Sequence, residues 1–548
     1  MKNGNWKKKM NENILKEFLY QKKKDVFLAT GGILVASLLS TPVPYINGFI
    51  IDNIFLNHSP KETFIHCIIV VLLLLLIRYI LLIYCEMIFS RLNTECTKYL
   101  RTSLFEKTLR FPVQYFEQYR EGYISSRISE SDNVARIFAP NIIMIFFGIV
   151  DLCISILILT YLNIRIAIIT VTLYLLYVTV AHILSIKIEE CVKTVHEENA
   201  SVTQNLCDSL EYEKEIKIAN DYKRHIQKFI KVLEKYLCQY YKQYRLMVIY
   251  TETTSLFTSL MALLILLICG IAILQNDMTI GMYTTLAGYA TKIFSNIRNL
   301  ANMNVVLKPI RVSLKRVNEY MSEVEELSGD EDIQAIKKIT VEKVCYSYDK
   351  KSRGLDLKEI EFNLCEGDVC IIEGANGSGK STLIELMLGL RQVTKGNIYY
   401  NDILLDKIDK RRLRSKIAVA TQFGYFIEGT VFDNIVLLNK DVTKDNIENI
   451  LEKKQLLEIM RRLGKKLESN VAAGGRNLSA GQKQIISFLR AVIAERDVLI
   501  LDEITSNMDV ELKKIVSELL KNSNYANLIL IISHDEIFPY VKKRIRLK

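Results

Sequence analysis

The chain has 548 residues, half of them hydrophobic, with one Trp and a formal net charge of +11. It is too long for one typical domain and too apolar for an ordinary soluble enzyme. The apolar weight gathers in long runs before residue 303, and the remainder reads as soluble α/β sequence. Much of the basic excess lies between the hydrophobic runs, which favours membrane orientation over nucleic-acid binding. The eleven cysteines include Cys85 within an apolar run, Cys96 in a basic loop, and Cys345, Cys365 and Cys370 in the soluble part. No CxxC pair and no Cys/His cluster at metal spacing occurs, so they read as small hydrophobes in a reducing compartment.

The N-terminal segment MKNGNWKKKMNENILKEFLYQKKKD is basic and precedes an apolar run, as a secretory signal does. That run continues past signal length to Ile51 and lacks an A-x-A-like site, so an uncleaved first span is expected, preceded by an interfacial helix over Asn13–Tyr20. Crossing ~30 Å of hydrocarbon takes ~20 apolar residues. Six stretches qualify: 26–51, 63–90, 140–162, 164–187, 252–275 and 279–302. The connections over 91–139 and 188–251 are long and the others short. The first long one carries Arg91, Lys98, Arg101, Lys107, Arg110, Arg120, Arg127 and Arg136, and the second Lys193, Lys214, Lys217, Lys223 and Arg224. The short ones carry only Lys61 and Arg165. The excess of Lys and Arg places the long connections, both termini and the soluble part in the cytoplasm. Their patterning predicts helices continuing out of the membrane, with short crossing helices over 111–128 and 199–221.

Ionisable residues within a span are costly, and each is a candidate for function. Arg78, Asp151 and Lys292 lie ~23, ~17 and ~20 Å from the outer ends of their spans at ~1.5 Å per residue. Two readings stand beside each other: a charged ring facing a water-filled cavity, or a structural ion pair between helices.

An acidic linker (304–338) precedes a strand-rich domain over 339–548. GANGSGKST, Gly374 to Thr382, follows the apolar strand DVCIIE and opens the apolar helix LIELMLGL. This is a phosphate-binding loop in its required context: glycines turn backbone N–H groups inward and the helix N-terminus adds its dipole. Lys380 is expected to reach the β- and γ-phosphates and Ser381 to ligand Mg²⁺. VLILDE, Val498 to Glu503, is a buried strand ending in two acids; Asp502 is expected to hold Mg²⁺ and Glu503 to polarise the attacking water. LSAGQ, Leu478 to Gln482, precedes the apolar helix QIISFLRAVIA, where Ser479 and Gly481 either meet a phosphate or, for Ser479, simply cap the helix.

The phosphate loop, LSAGQ and VLILDE, in this order and spacing, resemble the nucleotide-binding domain of ABC transporters, and six spans before it resemble the exporter-type half-transporter. FPVQYFEQYREG looks like the family's first intracellular loop. The resemblance implies a helical six-span membrane domain (1–303) followed by an α/β P-loop domain. It implies an ATP-contact set of Gly374, Asn376, Gly377, Ser378, Gly379, Lys380, Ser381 and Thr382, with Ser479, Gly481 and Gln482 of the signature. It adds Tyr348, in VCYSYD, as the aromatic stacking on adenine, Gln422 as the Q-loop residue touching Mg²⁺, Asp509 as the D-loop aspartate, and His534 as the switch histidine. Two such domains would sandwich two ATP molecules, each phosphate loop facing the partner's LSAGQ, so a dimer in the cytoplasmic membrane is expected. A homodimer is favoured because the hydrolytic residues are intact.

The sequence departs from the family in three places. Ala480 stands where Gly is usual, and slower hydrolysis is expected. Ala473 stands where exporters usually carry Glu. Fourteen residues follow His534, so the terminal strands are expected to be largely missing. The expected activity is ATP-driven export of a peptide or amphipathic small molecule, with a lipid flippase or an ATP-gated regulator as alternatives.

Overall fold

A bilayer core offers no water to backbone polar groups, so a chain crossing it satisfies them within helices. The computed structural model describes residues 14–56, 60–119, 121–301, 303–348, 357–375, 377–421, 424–439, 441–522, 525–533 and 538–547. They form two compact units, one made of residues up to Leu109 together with Glu121–Glu323, the other of Arg110–Arg120 together with Val324–Lys548.

The first unit is helical: α1 (Ile14–Gln21), α2 (Lys23–Ser40), α3 (Val43–Phe49) and α4 (Lys61–Thr108); then, after α5 (Val113–Gln118) of the second unit, α6 (Glu121–Ala135), α7 (Pro140–Leu162), α8 (Ile164–Glu211), α9 (Glu213–Ala219), α10 (Tyr222–Leu274), α11 (Ile280–Ala301) and α12 (Met303–Ser322). α4, α8 and α10 have 48, 48 and 53 residues. At ~1.5 Å per residue that is more than twice a hydrocarbon core, so they continue beyond it, as the patterned connections predict. The first crossing is shorter than expected: Pro112 starts α5, and α6 begins again at Glu121. The second, expected over 199–221, is corrected to α9. Nothing in 199–211 breaks a helix, so α8 runs through to Glu211, and Asn220 in the left-handed region (φ 52°) ends α9.

Five helices are long and apolar enough to cross a membrane: Lys23–Leu56, Lys61–Thr108, Ile142–Leu162, Ile164–Leu210 and Tyr222–Leu274, counted among the described residues. The expected sixth span is a helix, α11, but is not among the five. Its Thr284, Thr285, Lys292 and Asn296 dilute its hydropathy; Thr285 and Lys292 pack against the first span, and Asn296 bonds Asp151 of α7. That span is broken at Thr41–Pro42, where a proline ring cannot continue the ladder, and ends in a π-helical turn, Ile50–Leu56. Asp52 accepts from Gly281 N at 2.7 Å and Thr279 Oγ1 at 2.5 Å. The backbones touch at Gly48 and Gly281, where a Cβ on Gly281 would lie 2.1 Å from Gly48 O. Tyr289 Oη donates to the Thr41 carbonyl at the break, 2.8 Å.

Deeper along α11, Lys292 Nζ lies 2.7 Å from Asp151 Oδ1 and 2.9 Å from Ser40 Oγ. Asn296 and Ser37 also donate to Asp151, at 2.7 and 3.1 Å. Three of the six expected spans therefore share one buried carboxylate. Arg78 stands apart from this network, and its buried Nε has no hydrogen-bond partner among the described residues.

The second unit holds an antiparallel sheet, β2-β1-β4-β5 (β1 Lys338–Tyr346, β2 Leu357–Cys365, β4 Lys395–Tyr400, β5 Ile403–Leu404). Beside it is a parallel sheet, β11-β3-β10-β9-β6 (β3 Val369–Glu373, β6 Ile417–Ala420, β9 Val498–Asp502, β10 Leu528–Ile532, β11 Lys543–Arg546), and a small pair, β7 (Gly429–Thr430) and β8 (Asn470–Val471). The strands VCII, VLIL and LILII are continuously apolar because helices cover both faces. Those helices include α13 (Lys380–Met387), the short α14 (Lys410–Ser415), α15 (Val431–Ile435), α16 (Ile447–Lys453) and α17 (Leu457–Arg462), then α18 (Ala480–Ile493) and α19 (Val510–Asn522). A terminal strand is present: β11 pairs in parallel with Cys370–Glu373, correcting the expectation drawn from the short segment after His534. All eleven cysteines are free, and Cys85, Cys96, Cys345 and Cys370 are buried.

Removing the Asp151 carboxylate leaves the largely buried Lys292 ammonium without its counter-ion, at a cost of about 3 kcal/mol or more. Asp151→Ala is expected to lower the unfolding temperature in detergent, and the exchange Asp151→Lys with Lys292→Asp to recover part of the loss. Unchanged unfolding of the single variants would contradict a structural pair.

Candidate ATP site

The site forms where β3 and β9 end on the same edge of the parallel sheet, with β10 between them. β3 turns into α13 through Gly377 and Gly379, both left-handed (φ 83° and 89°). A Cβ on Gly379 would also lie 2.4 Å from Leu357 Cδ2, so a side chain there would have to displace that leucine as well as adopt a strained backbone. Lys380, 6% exposed, donates to the carbonyls of Gly374 (2.9 Å) and Ala375 (3.2 Å), and its ammonium is 3.9 Å from the Glu503 carboxylate. Ser381 and Thr382 follow in the first turn of α13. The Ser378 hydroxyl is buried without a hydrogen-bond partner among the described residues, a spare donor in a loop of this shape. A triphosphate fits this chemistry: it would replace the carbonyl partners of Lys380 and give Ser378 an acceptor.

Across the edge, burial and the adjacent Glu503 charge push the Asp502 carboxyl up to about 6, with Lys380 acting in the other direction. Glu503 is itself left-handed, φ 49°, an unfavourable conformation for a non-glycine residue held by its N–H on the Ile532 carbonyl at 3.0 Å.

Ser479 and Gln482 form a reciprocal capping box at the start of α18, 3.2 and 3.0 Å, and Gln482 also donates to Leu463 O at 3.2 Å. Ala480 is exposed at the first helical position. Gly481 sits against Asn507 O, 2.9 Å from where a Cβ would be. Asp509 caps α19 by accepting from Leu512 N at 2.7 Å. Asn376, Gln422 and His534 lie outside the described residues.

Tyr348 is half exposed; its hydroxyl bonds Thr382 Oγ1 at 2.8 Å, and its ring lies 4.7 Å from the Arg391 guanidinium. Arg391 has no motif to announce it, yet it is buried with two carboxylates and a phenol. Its Nη1 donates to Glu117 at 3.0 Å and to Tyr346 Oη at 3.1 Å, and its Nε binds Glu385. These anions hold its proton more firmly than usual, against the opposing effect of burial. Glu117 belongs to α5, so this arginine ties Tyr348 to that helix. Arg490 is a second residue without a motif. It donates to Asn434 O (2.7 Å) and Tyr425 O (2.6 Å), fixing the loop after Gln422, and burial lowers its pKa to about 10. Its signal was a charge inside an otherwise apolar helix, which needs buried partners.

Comparison with known proteins shows the family. The family model for the ABC transporter transmembrane region matches residues 26–297, and the ABC transporter model matches 357–506. This chain belongs to the ABC transporters, as a half-transporter of the exporter type with a helical membrane domain followed by an ATP-hydrolysing domain. It is 27% identical over 425 residues to the lactococcin transport/processing protein LcnC-like of Lactococcus lactis, covering 76% of this chain and 59% of that one. It is 26% identical over 501 residues to the transport/processing protein ComA of Streptococcus pneumoniae, covering 89% and 69%. It is 22% identical over 516 residues to ATP-dependent lipid A-core flippase 2 of Colwellia psychrerythraea, covering 93% and 88%. The chain thus spans about six tenths of the length of the first of these relatives. The fold matches a bacterial Atm1-family ABC exporter with ATP bound, TM-score 0.81 at 16% identity, over 96% of this chain and 94% of that one.

Two outcomes follow for the site. Because the Asp502 pKa is raised on folding, the folded state holds an extra proton between about pH 4 and 6, and nucleotide-free stability falls as pH rises through that window. Asp502→Asn is expected to raise the unfolding temperature at pH 7.5 and to flatten its change between pH 5 and 7.5, read by scanning fluorimetry. Arg391→Met strands two carboxylates and a phenol, and is expected to destabilise by about 2 kcal/mol or more and to weaken binding of a fluorescent ATP analogue. Glu117→Gln, at a more exposed partner, should cost less in both measurements.

Proposed function

We propose that this chain, as one of two copies in a cytoplasmic-membrane dimer, exports a peptide or an amphipathic small molecule by ATP-driven alternating access. The observation that carries the reading is the meeting of Lys380, Asp502 and Glu503 at one edge of the parallel sheet. Lys380 lies against Glu503, and Asp502 adjoins them with a carboxyl whose pKa sits below neutrality. A gate or regulator needs only to bind ATP, whereas this arrangement is built to cleave it. Lys380 takes the β- and γ-phosphates, and Tyr348 stacks on the base. Mg²⁺ would be held by Ser381, Asp502 and Gln422 and would neutralise the phosphate oxygens. Glu503 receives the proton of the water that attacks the γ-phosphorus as the bond to ADP breaks, and His534 would serve as the switch histidine, as the family resemblance implies.

The dimer reading is supported by the placement of Ser479, Gly481 and Gln482 on a separate helix start, where they serve a partner's nucleotide. The intact Glu503 favours two identical copies. ATP binding closes the pair and turns the spans outward, and hydrolysis resets them. Peptide cargo is supported by the relative named for lactococcin transport. A lipid is the second reading, supported by the flippase relative, which is covered over 88% of its length.

Glu503→Gln removes the base while leaving Lys380 in place. It is expected to keep ATP binding and to lower turnover by ~10²-fold or more. Wild-type hydrolysis by purified Glu503→Gln would overturn the assignment. Stimulation of the wild-type ATPase by peptides rather than by lipids separates the two cargo readings.

A further inference from the structure

α18 begins with the signature and continues as an apolar helix, yet its fifth residue, Gln484, is an amide that is 1% exposed. Its Nε2 donates to the Glu503 carbonyl at 3.3 Å and to Ser506 Oγ at 2.7 Å, and its Oε1 accepts from Asn507 N at 2.9 Å. This set fixes the amide's orientation, because a flip would oppose N–H to N–H at Asn507. Gly481, three residues earlier and on the same helix face, touches the Asn507 carbonyl with no room for a Cβ. α18 therefore meets the turn Glu503–Met508 at two successive points.

That turn contains the strained residue of the site. Glu503 is left-handed, and such a conformation persists where its surroundings over-determine it. Its N–H is held by Ile532 O, and its carbonyl receives both Gln484 Nε2 and Ser506 N (3.2 Å). Gln484 brings a side chain from α18 into this set of bonds.

We infer that Gln484 is a positioning residue that joins the signature helix of this chain to its own Glu503, and that through it the two ATP sites of the dimer act cooperatively. The inference rests on the dimer reading given above. In that arrangement Ser479 and Gly481 meet the partner's ATP, while Glu503 acts on the ATP bound by its own chain. A displacement of α18 when the partner's nucleotide is engaged pulls on the Glu503 carbonyl through Gln484. It thereby sets the carboxylate's aim at the opposite site.

The test uses Gln484→Met, which keeps length and burial but neither donates nor accepts as the amide does. The full-length protein in nanodiscs is assayed for ATPase against ATP concentration and for binding of a fluorescent ATP analogue. The expected result is analogue binding within about twofold of wild type, kcat lowered about tenfold, and a Hill coefficient falling from near two toward one. A merely structural role would lower thermal stability and leave the Hill coefficient in place, and that result overturns the inference. Unchanged kcat and cooperativity overturn it equally. Ser506→Ala, at an exposed position, removes one of the same bonds, so a failure of Gln484→Met to fold does not close the question. It should reduce cooperativity in the same direction, and an unaltered Hill coefficient in it counts against the proposal. Light scattering of Glu503→Gln with ATP keeps the dimer reading separate: a monomer there refutes that reading, whereas a dimer with an unaffected Gln484→Met refutes only the role of Gln484.

Discussion

A lysine ammonium with 6% of its surface exposed must be given partners, and the disposition of the ATP-binding unit follows from how Lys380 obtains them. Two carbonyls of its own loop and the Glu503 carboxylate surround it. β3 delivers the loop, β9 delivers the acids, and β10 between them sets their spacing through matched parallel registers. With Lys380 close by, Asp502 and Glu503 can stand adjacent on one strand end, although burial and mutual repulsion raise the Asp502 pKa to about 6. The contacts around Lys380 are those a triphosphate would take over.

In the membrane unit the governing constraint is the price of polarity in a dry medium. The break in the first span frees carbonyls, and α11 answers with hydroxyls, glycines and Lys292 rather than with further apolar bulk. That explains why α11 is a poor span by hydropathy and a good partner for α2 and α3. Asp151 is the point at which α2, α7 and α11 meet, each contributing a polar group. Such a network costs little while complete and a great deal when one member is missing.

What could be read from the sequence was what is local. The phosphate loop, the acid-ended strand and the signature each carry their chemistry within a few residues, and their flanking periodicity placed them correctly on β3, β9 and α18. Long helices beyond the bilayer were also legible, since their amphipathic patterning persists past the apolar run. Non-local pairings were hidden. Nothing near Arg391 points to Glu117, 274 positions away, and nothing near Asp151 selects Lys292 over Arg78. The second crossing helix was misplaced because charge and polarity mark where a helix leaves the membrane but not where it turns. That depends on Asn220 adopting a left-handed conformation. Gln484 was quoted within an apolar helix, but a buried amide has meaning only once its three partners are known.

The central claim is that ATP draws two copies of this chain together at their nucleotide-binding units. It is tested most directly by the distance between those units. Glu518, exposed on α19, can be replaced by Cys in a cysteine-free background and spin-labelled, giving one label per copy. Pulsed dipolar spectroscopy in nanodiscs should then show a broad inter-copy distribution without nucleotide, and a shorter, narrower one with ATP and vanadate. A distribution indifferent to nucleotide, or no dipolar coupling between copies at all, would contradict the account.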